Sequence, residues 1–60
     1  MFITIEENLV NLDKVNCIIV DEYEDGFVIR VQFERGNELT LFYYTEEEAM
    51  EAFKNIQSKL

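Results

Sequence analysis

The sequence predicts an α+β domain in which a four-stranded antiparallel meander is followed by one C-terminal helix packed on one face of the sheet. Three observations predict this fold class. Residues 27–34 alternate between apolar and polar side chains, the period of a half-buried strand. Asp25-Gly26 directly before them is a strong signal for a type I′ hairpin turn. Thr45, with Glu48 three residues later, forms a capping box that marks a helix start.

The N-terminal part of the chain supplies the first two strands of the predicted meander. Residues 2–5 are apolar and partly β-branched, which favours a strand. Residues 6–8 interrupt it, residues 9–12 are an extended linker or a brief strand, and Asp13-Lys14 is a turn. Residues 15–23 then form a long second strand, apolar on both faces in its middle, as expected of a strand covered on two sides.

A two-residue Asp25-Gly26 loop would set the register of the first hairpin, with Glu24 opposite Phe27. The pairs that follow on one face are Val20 with Val31 and Ile18 with Phe33. The pairs on the other face are Tyr23 with Val28, Ile19 with Gln32, and Asp21 with Arg30, whose opposite charges support this register.

The second hairpin has two possible loops. If Gly36-Asn37 is the loop, Phe33 faces Thr40. If residues 35–37 form it, Phe33 faces Leu39, and Leu39, Leu41 and Tyr43 join the main core while Phe42 and Tyr44 lie on the other face. We prefer the second loop, because it separates apolar from polar side chains better.

The helix is predicted from about residue 46 to residue 59. Acidic residues occupy its first turn and Lys54 and Lys59 lie toward its end, the arrangement that the helix dipole favours. Its apolar stripe consists of Ala49, Met50, Phe53, Ile56 and Leu60.

One helix covers one sheet face, so the other face is free for a partner. A large exposed apolar patch usually marks an interface, and a two-fold homodimer is its simplest use. Cys17, lying between apolar neighbours, is also expected to be a small buried side chain with no reactive role. The predicted dimer interface consists of Cys17, Ile19, Tyr23, Val28, Phe42 and Tyr44.

The 60 residues form one domain with a formal net charge of −8, from thirteen acidic and five basic side chains. This charge repels nucleic acid and anionic membranes. The acidic side chains serve either solubility and helix capping or an acidic surface that docks onto the basic, nucleic-acid-binding site of another protein. The predicted acidic partner surface consists of Asp21, Glu22, Glu24, Asp25, Glu46, Glu47 and Glu51.

The residue types argue against catalysis, a bound metal and a cofactor. The chain has no histidine, and its one serine, Ser58, therefore has no imidazole to activate it. Adjacent carboxylates on a strand point in opposite directions, and we expect so small a body to form no pocket. The acidic residues 21–26 lack the spacing of a calcium-binding loop.

We expect a cytoplasmic protein. Cys17 is the only cysteine, so no internal disulfide is possible. Met1 leads directly into strand-like sequence, which predicts no signal peptide, and no apolar run is long enough to cross a bilayer.

Two resemblances follow from these elements. The order of four strands and a helix looks like the dimeric single-stranded-DNA-binding domains of the positive-cofactor and Whirly type. The pattern Ile3-x-Ile5, Val10-Asn11-Leu12-Asp13-x-Val15, Val31-x-Phe33-x-x-Gly36 and Glu47-Glu48-Ala49-x-x-Ala52-Phe53 is similar to small proteins of Firmicute bacteria and their phages. It also resembles short phage anti-defence proteins, such as the inhibitor of the Hachiman helicase–nuclease system.

The second resemblance implies a phage-encoded inhibitor that acts on a host nucleic-acid-handling enzyme by protein–protein contact. With the acidic surface and the free sheet face, it predicts a non-enzymatic, homodimeric interaction protein with a basic host partner. The alternatives are a single-stranded nucleic-acid-binding module, which the first resemblance implies, and a nucleotide-binding sponge.

Overall fold

The computed structural model describes all residues, 1–60, as two antiparallel sheets and one helix. The α+β class is confirmed, but the single four-stranded meander is wrong, because the N-terminal strand pairs with a neighbour of its own and forms a separate sheet. The elements are β1 (Phe2–Ile5), β2 (Asn8–Asn11), a 3₁₀ turn (Leu12–Lys14), β3 (Val15–Tyr23), β4 (Gly26–Phe33), β5 (Glu38–Tyr43) and α1 (Glu46–Gln57).

The β1–β2 hairpin turns at Glu6 and Glu7, both in the left-handed region with φ of 47° and 69°. This geometry normally selects Asn-Gly, because a β-carbon is disfavoured at positive φ. The Asn8 side-chain amide stabilises the turn by donating to the Ile5 carbonyl at 3.2 Å and to the Glu6 carbonyl at 3.1 Å. The residues predicted to interrupt a strand therefore form a tight hairpin.

The second sheet has the order β3-β4-β5, with β4 in the centre. The β3–β4 loop is Glu24-Asp25, so Tyr23 pairs with Gly26, and Val20 pairs with Ile29. The predicted pairs are thus wrong by two residues, and the turn lacks the positive φ of a type I′ turn. A shift of two residues keeps each side chain on its predicted face, because side chains alternate with a period of two.

The strand pairs that the preferred loop predicts for the β4–β5 hairpin are also wrong by two residues, which again leaves each side chain on its predicted face. Val31 pairs with Leu39, and residues 34–37 form the turn, closed by a hydrogen bond from the Phe33 N–H to the Asn37 carbonyl at 2.8 Å. Gly36, at φ 82°, supplies the left-handed position. Neither predicted loop is correct, but the face assignment of the preferred loop is.

Helix α1 and the β1–β2 hairpin together cover one face of the three-stranded sheet. Ile29 and Val31 of the central strand are completely buried. From the helix, Ala49 and Ile56 are buried, whereas the predicted stripe residues Met50 and Leu60 are exposed. The main core cluster consists of Ile5, Val10, Ile29, Val31, Leu41 and Ile56.

Helix α1 begins at the predicted cap. The Thr45 hydroxyl accepts from the Glu48 N–H at 3.1 Å and donates to the Glu48 carboxylate at 3.0 Å. The helix ends at Gln57, two residues before the predicted end, and Ser58 is its C-cap. No helix in the structure has the length and apolar character needed to cross a membrane.

Tyr43 connects the β1–β2 hairpin to the three-stranded sheet. Its hydroxyl donates to the Glu6 carboxylate of the β1–β2 turn at 3.4 Å. Burial, together with the charge and hydrogen bond of Glu6, raises the pKa of Tyr43 to about 12. The folded protein therefore favours the neutral phenol at this position.

We expect Glu7→Gly to raise the free energy of unfolding by about 0.5–1 kcal/mol. A left-handed residue with a side chain costs about 1–2 kcal/mol, and glycine removes that cost while adding about 0.5–1 kcal/mol of unfolded-chain entropy. Urea denaturation measures the difference. Glu24→Gly is the matched control, because it removes the same charge from a turn residue at negative φ, and it should not stabilise. A Glu7→Gly variant less stable than Glu24→Gly would contradict the left-handed turn.

Titration of the phenolate absorbance should show one tyrosine with a pKa of about 12, and Tyr43→Phe should remove that step. Because this folded-state pKa lies above the ordinary value of about 10, the stability it contributes is complete below about pH 10 and lost as the pH rises toward about 12.

In the same titration, Glu6→Gln should lower the pKa of Tyr43 only part of the way toward its ordinary value, since burial is the larger cause. Glu7→Gln, its neighbour in the turn, should leave it unchanged. An unaltered Tyr43 pKa in the Glu6→Gln protein would show that the two side chains are not in contact.

Candidate interaction surface

Three turns bring acidic side chains to one end of the molecule. The pairing of Phe27 with Tyr43 places the end of β5, and hence the start of α1, beside the β3–β4 turn. The contact between Tyr43 and Glu6 brings the β1–β2 turn to the same end. We call this end the acidic pole; it comprises Glu6, Glu7, Glu22, Glu24, Asp25, Glu46, Glu47 and Glu48, all exposed.

No lysine or arginine forms an ion pair with a carboxylate of the acidic pole. The ion pairs of the structure lie elsewhere and join the Met1 ammonium to Asp13, Lys14 to Glu34, and Arg30 to Asp21. The Glu34 N–H donates to the Lys14 carbonyl, so Lys14 and the β4–β5 turn, which carries Arg35, share the opposite end of the sheet. Acidic side chains are therefore concentrated at one end of the molecule, where Lys59 is the basic residue that shares a small cavity with Glu6.

The predicted acidic surface is mostly brought together in this pole. Two of its residues lie outside the pole. Asp21 lies on the open sheet face, with its carboxylate 3.6 Å from the Arg30 guanidinium. Glu51 lies one turn further along α1. Glu6 and Glu7 were not predicted as part of this surface, because their position depends on the β1–β2 hairpin. The only sequence signal for that hairpin is the strand-like pattern of residues 9–12.

The sheet face opposite α1 is aromatic near the acidic pole. Tyr23 is 59% exposed, Phe42 69% and Tyr44 89%. The rings of Tyr23 and Phe42, from the two outer strands, stack with centroids 6.0 Å apart and an interplanar angle of 6°. Val28, on the central strand between them, is only 5% exposed, so it is unavailable as an interface residue. Strand alternation correctly predicted the sheet face on which Val28 lies, but it did not predict that neighbouring side chains cover Val28.

The rest of the open face is polar. Cys17, expected to be buried, is exposed, and its Sγ donates to Gln32 Oε1 at 3.0 Å. The Gln32 amide in turn donates to Glu38 at 3.1 Å, and the Thr40 hydroxyl donates to the same carboxylate at 3.3 Å. Ile19 is half-buried. The predicted interface residues are thus divided between an aromatic end and a polar network.

Arg30 separates these two regions. The predicted pair with Asp21 is present, but it is diagonal, because Asp21 pairs directly with Val28 and Arg30 with Ile19. The Nε of Arg30 is buried without a hydrogen-bond partner. This guanidinium is the only cationic group on the three strands of the sheet.

An open groove of 610 Å³ lies where the aromatic end meets the acidic pole. A β-carbon added to Gly26 would lie 2.4 Å from the Tyr43 carbonyl oxygen, so glycine is required here for close backbone approach. The expectation that so small a body forms no pocket is wrong. The groove is lined by Tyr23, Glu24, Asp25, Gly26, Phe27, Phe42, Tyr43 and Tyr44.

The chemistry of this surface favours cations. Exposed aromatic faces attract guanidinium and ammonium groups, and neighbouring carboxylates add charge and hydrogen-bond acceptors. The structure places no three histidine, cysteine, aspartate or glutamate side chains together in a metal-binding arrangement.

Comparisons of the chain with protein-family models, with curated proteins and with solved structures found no match to any of them.

Proposed function

We propose that this chain is a non-enzymatic interaction protein that binds a basic surface of another protein through its acidic pole. The observation that carries this proposal is the gathering of carboxylates from three separate turns at one end, where none of them forms an ion pair. Solubility requires charge but not its segregation. Segregated charge steers a complementary partner and selects against others.

The aromatic end supplies apolar surface that a partner can bury, which charged side chains alone do not provide. Rim charges mainly accelerate association, whereas tight interfaces depend on a few buried aromatic or arginine side chains. Tyr23, Phe42 and Tyr44 are exposed directly beside the acidic pole. Their position supports a partner contact that combines electrostatic attraction with burial of aromatic surface.

Binding of nucleic acid or a nucleotide is disfavoured by the same geometry. Single-stranded nucleic acid requires a positively charged groove beside aromatic side chains. Here the aromatic groove has Glu24 and Asp25 on its wall, and the only cation on the sheet, Arg30, is paired with Asp21. Phosphates would be repelled at the position where bases would stack.

The resemblance to phage anti-defence proteins gives this proposal its more specific form, in which the basic partner is a host nucleic-acid-handling enzyme. An acidic pole would then occupy the site that normally holds phosphates. Support comes from the charge segregation described above, together with the motif pattern in the sequence.

The predicted homodimer is the second candidate, favoured by the exposure of the aromatic end. A stable interface of standard size buries about 800 Å² on each partner. The molecule measures 30 × 22 × 17 Å, so a two-fold dimer would cover nearly the whole open face. It would bury the Arg30–Asp21 pair and the polar network around Gln32, which makes it less favourable than contact through one end.

We expect the double variant Glu24→Gln/Asp25→Asn to weaken binding of a lysine-rich peptide about tenfold at low salt, because two charges of the acidic pole are lost. Glu34→Gln/Glu38→Gln is the matched control, since it removes the same charge at the opposite end of the sheet. Fluorescence anisotropy over a series of salt concentrations measures both. Equal weakening by the two double variants would mean that only net charge matters, and would contradict the proposal.

Sedimentation equilibrium separates the two candidates. Contact through the acidic pole alone predicts a monomer at micromolar concentration. A dimer through the open face predicts concentration-dependent mass that persists in high salt and is abolished by Tyr23→Ser/Phe42→Ser. Phe2→Ser, which changes an exposed aromatic side chain of the β1–β2 hairpin, is the control.

A further inference from the structure

We propose that the groove at the acidic pole binds an arginine side chain presented by an extended basic segment of the partner protein. This inference rests on the proposed function, since it identifies the chemical group that the partner places there. The inference goes beyond the proposed function by assigning one type of side chain to one groove.

The groove offers an arginine two complementary contacts. Its guanidinium is planar and stacks on aromatic rings, and the exposed rings of Tyr23, Phe42 and Tyr44 line the groove. The carboxylates of Glu24 and Asp25 line the same groove and take part in no ion pair. A guanidinium lying against a ring can donate to a carboxylate from its edge, because its N–H groups lie in its plane.

Lysine fits this groove less well. An ammonium is a compact, strongly hydrated charge that forms no planar stack, so it gains from the acidic rim but little from the rings. The volume of 610 Å³ falls in the range of ordinary ligand sites, about 300–1,000 Å³. It therefore accommodates the arginine together with part of the segment that carries it.

The chain itself does not fill the groove. Its own Arg30 is held by Asp21, and Arg35 lies in the turn at the opposite end of the sheet. A second copy could reach the groove with Arg35 either head to tail or in an antiparallel two-fold pair. The two-fold pair would bury the Arg30–Asp21 ion pair and the polar network around Gln32, which disfavours it. A separate basic partner is the occupant that charge complementarity favours.

The test compares two peptides of equal charge, one in which every basic residue is arginine and one in which each is lysine. We expect the arginine peptide to bind about fivefold more tightly, the value of a cation–π contact near 1 kcal/mol. Phe42→Leu and, separately, Tyr44→Leu should reduce this preference and weaken binding of the arginine peptide more than binding of the lysine peptide. Phe2→Leu, which alters an exposed ring outside the groove, should retain the preference.

Each alternative outcome is distinct. If both peptides bind equally and Phe42→Leu has no effect, the arginine site is wrong while the proposed function stands. If neither peptide binds at low salt, the proposed function fails as well. If the protein alone forms dimers or larger assemblies that Arg35→Ser abolishes, the occupant is a second copy and the assignment to a partner protein is overturned.

Discussion

The structure depends on the burial of strand β4 on the face that carries Ile29 and Val31. These two side chains are completely buried, and in so short a chain one helix is not enough to cover them. Helix α1 supplies Ile56, and the β1–β2 hairpin supplies Ile5 and Val10 to the same cluster. The need to cover one sheet face therefore explains why the N-terminal strands leave the main sheet and pack across it.

This arrangement also creates the acidic pole. When the hairpin packs beside α1, its turn lies against Tyr43 at the end of β5. The carboxylates of Glu6 and Glu7 then join those of the β3–β4 turn and of the first helical turn. Packing on one side of the sheet thus determines where charge gathers at its end, although no acidic side chain belongs to the core.

Features that depend on local alternation were predictable from the sequence, and features that depend on a specific turn were not. The alternating pattern of β4 and the cap formed by Thr45 and Glu48 are as expected. Each side chain of the sheet lies on its predicted face, although the predicted strand pairs are wrong by two residues. Asp25-Gly26 was misleading, because Gly26 serves close backbone packing and the turn lies one residue earlier. The left-handed pair Glu6-Glu7 contains no glycine or asparagine that would have indicated it, so one of the three turns of the acidic pole was not predicted. The exposure of Cys17 and the cover over Val28 depend on neighbouring strands that no single segment specifies.

The N terminus of α1 has a further consequence for how a cation would approach. The unpaired N–H groups of the first turn carry a partial positive charge, and Glu46, Glu47 and Glu48 lie directly beside it. The helix dipole therefore stabilises these three carboxylates, and drawing one away toward an incoming guanidinium would weaken the start of the helix. Glu24 and Asp25 lie in the β3–β4 turn and do not stabilise a helix start. A cation bound as proposed would therefore be accommodated on the hairpin side, beside the tyrosine and phenylalanine rings, without disturbing the fold.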